Sequence, residues 1–508
     1  MKQSTFKLMF LGTGSDVGKS LIVTAFCRIL HRKGISVAPF KAQNMALNSF
    51  VTMDGREMGR AQVIQAYAAG LQPDAKMNPV LLKPSGGNKI QVIVNGEVFK
   101  HQESSFYYKN IDEIQRIVFD SFNKLEKEYQ AIILEGAGSA VELNLKGRDI
   151  VNLPMALGVN APSILVSDID RGGIFASAIG SIKLMGLSER RVVLGHIINK
   201  FRGEIKLFED GREIIERKSR KPVFGIVPFI PSLNIPEEDS VALSRGKKGR
   251  IKPGSRVKIA VVRLPYISNY TDFDPFEMEE SVSLWYASIP EELDEANVII
   301  IPGTKNTISD LIWMKQSGFD YKIKVLQKKG ATVVGICGGY QIMGRYICDP
   351  HNVESEIKEL KGLSLLNMKT VMSTEKTLKR VKAVCEIEGA LKGEVVHGYE
   401  IHMGKSQVEH GVKNCFKIIE RNGVMANGLD GAVMNNGKIW GTYIHGIFEN
   451  DSFRYKFLEL NGRGRNKKFD YHGYLNQQFD KLADAVEKYV DVNRILKLAQ
   501  RKNGVKII

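Results

Sequence analysis

Long hydrophobic runs are missing from this chain. No apolar stretch approaches the ~18 residues that a membrane-crossing helix needs, so no membrane partner is expected. The residues from Met1 to Phe10 have too short an apolar stretch, and no small-residue cleavage pattern, for a signal peptide. They read as the first strand of a domain. Cysteine is scarce: the five, Cys27, Cys337, Cys348, Cys385 and Cys415, are scattered and odd in number. That excludes a disulfide framework and points to the reducing cytoplasm. Internal repeats and low-complexity tracts are absent too. The net charge is +16, yet no aromatic-interleaved basic stripe or nucleic-acid-binding signature accompanies it. The basic runs Arg245-Gly246-Lys247-Lys248-Gly249-Arg250 and Arg463 to Lys468 read as solvated surface, and no nucleic-acid partner is expected.

What is present is enough for two or three hydrophobic cores, because 508 residues exceed what one core organises. Short β-branched runs alternate with amphipathic stretches through the first part. Strands are expected at Phe6 to Leu11, Ala131 to Leu134, Ser163 to Val166, Val192 to Ile198 and Val223 to Val227. This is the pattern of a mostly parallel sheet with helices on both faces. Composition turns to Pro, Glu, Asp, Gly and Lys after Pro231, which reads as a linker. A second α/β pattern starts at Val257 to Val262, continues through Val298 to Ile301 and Thr332 to Ile336, and ends near Trp440 to His445. The expected division is residues 1–232, a linker at 233–255, a second domain at 256–453 and a helical extension at 454–508.

Between the first strand and the first helix stands Gly12-Thr13-Gly14-Ser15-Asp16-Val17-Gly18-Lys19-Ser20. Gly12, Gly14 and Gly18 let backbone N–H groups converge on phosphate oxygens, and the helix N-terminus adds a favourable dipole. Lys19 suits the β- and γ-phosphates of a nucleotide such as ATP, and the Ser20 hydroxyl suits Mg²⁺. Five residues separate Gly12 from Gly18, one more than an ordinary phosphate loop has. Asp54 and Glu57, in Met53-Asp54-Gly55-Arg56-Glu57, are weaker metal candidates that a turn and a helix start explain almost as well.

A second reactive centre is expected at Gly335-Ile336-Cys337-Gly338-Gly339-Tyr340-Gln341, which ends one strand and opens a helix. The turn exposes Cys337 above the sheet, and the helix N-terminus behind it favours the thiolate. Gly338 clears space and offers its N–H to an oxyanion, with the loop at Pro302-Gly303-Thr304 as the other side of that hole. His445, closing a late strand about 110 residues downstream, is the best base for Cys337. The other four cysteines read as core fillers. His397 and His402, at i and i+5, match no usual metal-ligand spacing.

The longer phosphate loop resembles that of dethiobiotin synthetase and its relatives, which phosphorylate a carboxylate. The resemblance implies that Glu135, after a buried strand, holds Mg²⁺. It also suggests Lys41 as the residue that stabilises charge on a phosphorylated carboxylate, and Asp16 as part of the ATP loop. The thiol region resembles class I glutamine amidotransferase domains in the variant of the cobyrinic and cobyric acid synthases. It implies that Gly303, Gly338 and Gln341 serve the oxyanion or glutamine. Better-known members carry Glu two residues after the histidine, where this chain has Ile447. Glu449 is nearby, and the third partner of the Cys–His pair stays open.

An acid-activating site and an ammonia-releasing site in one chain describe an amide-forming ligase. Phe40-Lys41-Ala42-Gln43-Asn44-Met45, Asp168-Ile169-Asp170-Arg171-Gly172-Gly173, Ile198-Asn199-Lys200-Phe201-Arg202-Gly203 and Ser268-Asn269-Tyr270-Thr271-Asp272-Phe273-Asp274-Pro275 resemble the cobyric acid synthase family. That resemblance runs from about Lys7 to Phe453. It implies a P-loop, dethiobiotin-synthetase-like domain followed by a glutamine-amidotransferase-like α/β domain. It further implies a small corrinoid substrate, ATP and Mg²⁺ as cofactors, and glutamine as nitrogen donor. The rival readings are an a,c-diamide synthase, or a partitioning ATPase with a decayed second domain. Oligomeric state is not legible.

Overall fold

The computed structural model describes residues 5–84, 89–103, 110–231, 233–236, 249, 251–462 and 468–507. Residues 85–88, most of the expected linker with its basic run, Glu237 to Ser240, and 463–467 lie outside the described residues.

The first domain is built on a six-stranded sheet, all of it parallel. Its order is Val223–Pro228, Val193–Phe201, Ser163–Asp168, Phe6–Gly12, Ala131–Glu135 and Val37–Phe40. Both faces are covered by helices, so these strands are apolar almost without interruption. One face buries Phe10, Phe26 and Ile133 in a core with Ile197 and Phe224. The other buries Leu11, Phe40, Phe122 and Ile132. Each sequence-expected strand is present and runs one to three residues farther at its carboxyl end, while the one expected from Val192 starts at Val193 because Val192 closes a helix.

The second domain has its own six-stranded sheet, ordered Val282–Ala287, Val257–Val262, Val298–Ile301, Thr332–Ile336, Ile439–Thr442 and Ala432–Met434. Only the last pair is antiparallel.

Two additions, antiparallel except where Gln43–Met45 meets Val80–Pro84 and where Tyr346–Cys348 meets Met368–Cys385, had no place in the sequence reading. One is a four-stranded sheet of Gln43–Met45, Val80–Pro84, Lys89–Val94 and Glu97–Glu103. The other is centred on the long pair Met368–Cys385 and Val395–Val408, with Phe416–Arg421 and Val424–Asp430 beside it. Strands that alternate polar and apolar, as Met368–Cys385 does in its first half, do not announce themselves against parallel ones.

The C-terminal part is divided between the domains. Helix Asp451–Asn461 places Phe453, Phe457 and Leu458 in the second domain's core, so the expected boundary at 453/454 falls inside a helix. Helices Tyr471–Tyr489 and Val492–Asn503 return to the first domain, where Phe479, Leu482 and Ile495 join Phe26 and Leu30. Ion pairs Arg28–Asp480 at 2.8 Å and Arg32–Asp484 at 2.6 Å edge that contact. No helix among the described residues is long and apolar enough to cross a membrane.

Candidate active site

The phosphate loop leaves the carboxyl end of strand Phe6–Gly12, in the middle of its sheet, and feeds helix Lys19–Arg32. This is where ligands bind in open parallel sheets. Gly18 caps the helix at φ +94°, and a Cβ there would come within 2.0 Å of the Asn199 amide, so only glycine fits. Asn199 donates to the Val17 carbonyl at 2.9 Å and braces the loop from behind. Lys19 folds over the loop, donating to the carbonyls of Gly14 and Gly138 at 2.9 Å each. Asp16, also at positive φ, pairs with Arg171 at 3.2 Å, and Lys200 donates to the Asp16 carbonyl.

Glu135 gathers three side chains from three elements. Ser20 Oγ and Lys41 Nζ donate to its Oε1 at 2.8 and 2.9 Å, and Gln65 Nε2 donates to its Oε2 at 2.5 Å. The carboxylate is 1% exposed. Burial pushes its pKa up, but Lys41 and the three hydrogen bonds outweigh burial and hold it below the usual carboxylate range. Lys41 arrives here because strand Val37–Phe40 pairs with Ala131–Glu135, which brings both strand ends together.

The structure seats Asp54 and Glu57 differently from the sequence expectation of metal ligands. Asp54 is exposed in its own turn, accepting from the Thr52 hydroxyl and pairing with Arg56 at 3.1 Å. Glu57 is fully buried and clamped by Lys83 at 2.9 Å and Lys376 at 2.5 Å, with Ser49 Oγ at 2.8 Å. Each of its oxygens is matched by an ammonium group, so Glu57 serves as a counterion in this structure. Among the described residues no cluster of three or more His, Cys, Asp or Glu side chains is placed to hold a metal.

In the second domain, Cys337 sits between strand Thr332–Ile336 and helix Gly338–Met343 with φ +53° and ψ −109°. A non-glycine residue held there carries ~1–3 kcal/mol of backbone strain. That strain presents Sγ at the top of the sheet, where it approaches the Ile401 carbonyl at 3.4 Å. The sharp turn also needs Gly339, where a Cβ would come within 1.9 Å of the Ile301 carbonyl. Gly338 lies against the Thr304 backbone: a Cβ on it would be 3.1 Å from Thr304 N. Asp310 holds that loop by accepting from Thr304 Oγ1 and from Tyr266 N at 3.3 Å. Gln341 is buried, accepting from Thr307 at 3.0 Å and donating to Tyr443 at 3.1 Å.

His445 is 1% exposed, and its Nδ1 meets Asp272 Oδ2 at 2.6 Å. Asp272 Oδ1 accepts from Gly446 N at 3.0 Å, so the carboxylate is fixed at both oxygens. Burial alone would lower the imidazole pKa. The Asp272 carboxylate and the Cys337 sulfur outweigh it and push His445 up to about 10. Sulfur, imidazole and carboxylate therefore form one buried chain suited to nucleophilic attack with an oriented acid–base group. Asp272 is the partner that the sequence left open. It comes from the loop after the domain's first strand, some 170 residues before the histidine, so no local spacing rule could find it.

Two family models match: the CobQ/CobB/MinD/ParA nucleotide binding domain over residues 8–242, and the CobB/CobQ-like glutamine amidotransferase domain over 258–453. A cobyric acid synthase of Syntrophobacter fumaroxidans is 48% identical, the match covering 97% of this chain and 98% of the relative. One from Clostridium botulinum strain Okra is 45% identical over 98% of this chain and all of the relative. The chain belongs to the cobyric acid synthase family. As a member of it, the protein is an enzyme, a glutamine-hydrolysing amide ligase. One from Caldanaerobacter subterraneus is 43% identical over 97% of this chain and 99% of its own length.

This family member joins its two sites through buried contacts. Glu449, the acid near the histidine in sequence, pairs with Arg60 of the first domain at 2.7 Å and does not orient His445. Tyr399 stacks on His445 at 5.3 Å between ring centroids, while its hydroxyl donates to the Ser49 carbonyl at 3.2 Å. Asn269 accepts from Ser49 N at 3.1 Å. Arg60 and Gln65 share helix Arg60–Ala68, so one rigid element touches both the histidine loop and Glu135. A cavity of about 740 Å³ opens at Cys337 and His445. Its lining includes Lys83 and Ile90, which belong to the first domain. His397 and His402 do not meet: His397 is exposed, and His402 stacks on Tyr443 at 3.8 Å.

Proposed function

We propose that this enzyme converts the b, d, e and g carboxylates of adenosylcobyrinic acid a,c-diamide to amides, giving adenosylcobyric acid, with one glutamine and one ATP for each. The observation that carries the proposal is the Cys337–His445–Asp272 chain, facing a cavity whose wall is shared with the ATP-binding domain. Such a shared wall suits transfer of nitrogen from one domain to the other.

In the glutaminase half, Cys337 Sγ attacks the glutamine amide carbon. Gly338 N–H, at a helix end with unpaired donors, and the Thr304 backbone beside it receive the oxyanion. Imidazolium His445, steadied by Asp272, gives its proton to the leaving nitrogen, and ammonia departs. Water then hydrolyses the thioester to glutamate and frees the thiol, with His445 returning the proton.

In the synthetase half, a corrin carboxylate takes the γ-phosphoryl of ATP, yielding acyl phosphate and ADP. Ammonia attacks the acyl carbon and phosphate leaves. Lys19 moves from the Gly14 and Gly138 carbonyls to the phosphates, and Lys41 beside Glu135 faces the transferred group. The donor set fits Mg²⁺. Ser20 Oγ and Glu135 Oε1 are both hard oxygens, joined in this structure by a hydrogen bond of 2.8 Å, and would hold the ion by exchanging that bond for it. The ion supplies neutralisation of phosphate charge when bound.

Incubation with the a,c-diamide corrinoid, glutamine and Mg-ATP, followed by mass analysis, tests the assignment. Four acid-to-amide conversions are expected. A product with two, or ATP hydrolysis without amide formation, would favour the a,c-diamide synthase or the partitioning ATPase.

A further inference from the structure

The cavity at Cys337 carries positive charge that the chemistry above does not use. Lys83, Lys305 and Lys376 all line it. Lys83 and Lys376 share the buried Glu57. Lys305 makes no ion pair of that kind among the described residues; the carboxylates whose charge reaches it, Glu57 and Glu354, stand farther off. Its ammonium donates instead to the neutral Gln91 Oε1 at 3.1 Å, which also accepts from Lys376 at 3.2 Å.

Gln91 is fully buried and stands on strand Lys89–Val94 of the first domain, whereas Lys305 and Lys376 belong to the second. The pair of ammonium groups is thus aimed by a side chain from across the domain boundary. Lys305 follows Gly303 and Thr304, the loop that backs Gly338, so its position relative to Cys337 is set by the same turn. Lys376 lines the same cavity as Cys337.

Two converging lysines in the cavity of a nucleophile, one of them bonded only to a neutral amide, form a receptor for a small carboxylate. Burial, with Lys376 and Lys83 close by, lowers Lys305 to about 7 and outweighs the opposing pull of Glu57 and Glu354, a cost that an arriving anion would relieve. We infer that Lys305, with Lys376 beside it, binds the α-carboxylate of glutamine, and that Gln91 of the ATP-binding domain holds this subsite in place. The inference rests on the glutaminase reading of Cys337. It makes the glutamine pocket a product of both domains: separating them would loosen substrate selection as well as nitrogen transfer. Glu354, which accepts from Thr307 N at 2.7 Å and is raised to about 7 by burial, lies in the same cavity and adds the acidic side of a zwitterion site.

The test compares glutamine with 4-aminobutanamide, which keeps the amide and lacks the α-carboxylate. Release of ammonia is measured from each, for the full chain and for Lys305→Met, Lys305→Arg and Gln91→Leu. The expected result is a marked preference for glutamine, which falls about 10- to 100-fold in Lys305→Met through a raised KM. It should recover partly in Lys305→Arg and fall more mildly in Gln91→Leu. The inference is overturned if the unaltered enzyme uses both amides equally, or if Lys305→Met depresses both by the same factor. Should Lys305→Met fail to fold, the Gln91→Leu preference decides alone, and no change there overturns the inference. Cys337→Ala separates the two levels: persistence of glutamine hydrolysis in that variant would refute the thiol reading itself.

Discussion

Replacing Asp272 by Asn tests whether the carboxylate under His445 governs the thiol chemistry. The two side chains have nearly the same shape, so packing is preserved and only charge and hydrogen-bond polarity change. In the native site Asp272 accepts twice, from His445 Nδ1 at 2.6 Å and from Gly446 N at 3.0 Å. An Asn must keep its oxygen toward the Gly446 N–H, which turns its NH₂ toward Nδ1. The imidazole then has to accept at Nδ1 and carry its proton on the nitrogen facing Cys337, the wrong form for taking a proton from the thiol. Charge adds to this. The rise of His445 from 6.5 to about 10 corresponds to roughly 5 kcal/mol in favour of imidazolium. Asp272 and Cys337 share that stabilisation, net of burial. Assigning about half to Asp272 predicts a loss of roughly 2–3 kcal/mol, or a ~10²-fold fall in glutaminase kcat. The tautomer fault can extend it toward ~10⁴-fold. The assay is glutamate release under saturating glutamine, paired with synthesis driven by added ammonium, which should persist. The pH profile supplies a second reading. Because the folded pKa lies above the unfolded one, the charged His445 stabilises the fold fully below about 6.5 and loses that contribution as pH rises through about 10. In Asp272→Asn the alkaline limb should move to lower pH. Glutaminase activity within about threefold of the unaltered enzyme, with an unmoved limb, would refute the reasoning.

Cys337→Ser should lose glutamine-driven synthesis and keep ammonia-driven synthesis; loss of both, measured as amide product, would deny the separation of the two sites. Glu57→Gln leaves Lys83 and Lys376 buried with no anion, and should cost about 3–5 kcal/mol in denaturant unfolding. Its pH dependence has the opposite sign to that of His445. Burial raises the Glu57 pKa, but the two lysines outweigh it and hold it far below the usual range. The stabilisation is therefore complete above the unfolded carboxylate pKa and is lost at strongly acidic pH, and Glu57→Gln should flatten that limb of a thermal-melt series.

Much of both centres could be read from the chain, because each is carried by a short segment at the end of a strand. Gly12 to Ser20 and Gly335 to Gln341 hold their chemistry within nine residues or fewer, and strand-to-helix turns of that kind have strict local requirements. The apolar parallel strands were legible for the same reason: buried on two faces, they appear as unbroken β-branched runs. The antiparallel additions were not, since Met368–Cys385 is partly solvated and its pairing with Val395–Val408 depends on register rather than composition.

The sequence by itself determined where the two candidate centres lie along the chain, their order and the α/β character of both domains, all set by neighbours along the chain. Tertiary structure alone decided which acid orients His445, choosing the distant Asp272 over the nearby Glu449. It also turned Glu57 from a metal candidate into a counterion for lysines from both domains. Both outcomes depend on which side chains meet after strands from separate segments align, and burial then makes each charge seek whichever partner folding has brought within reach.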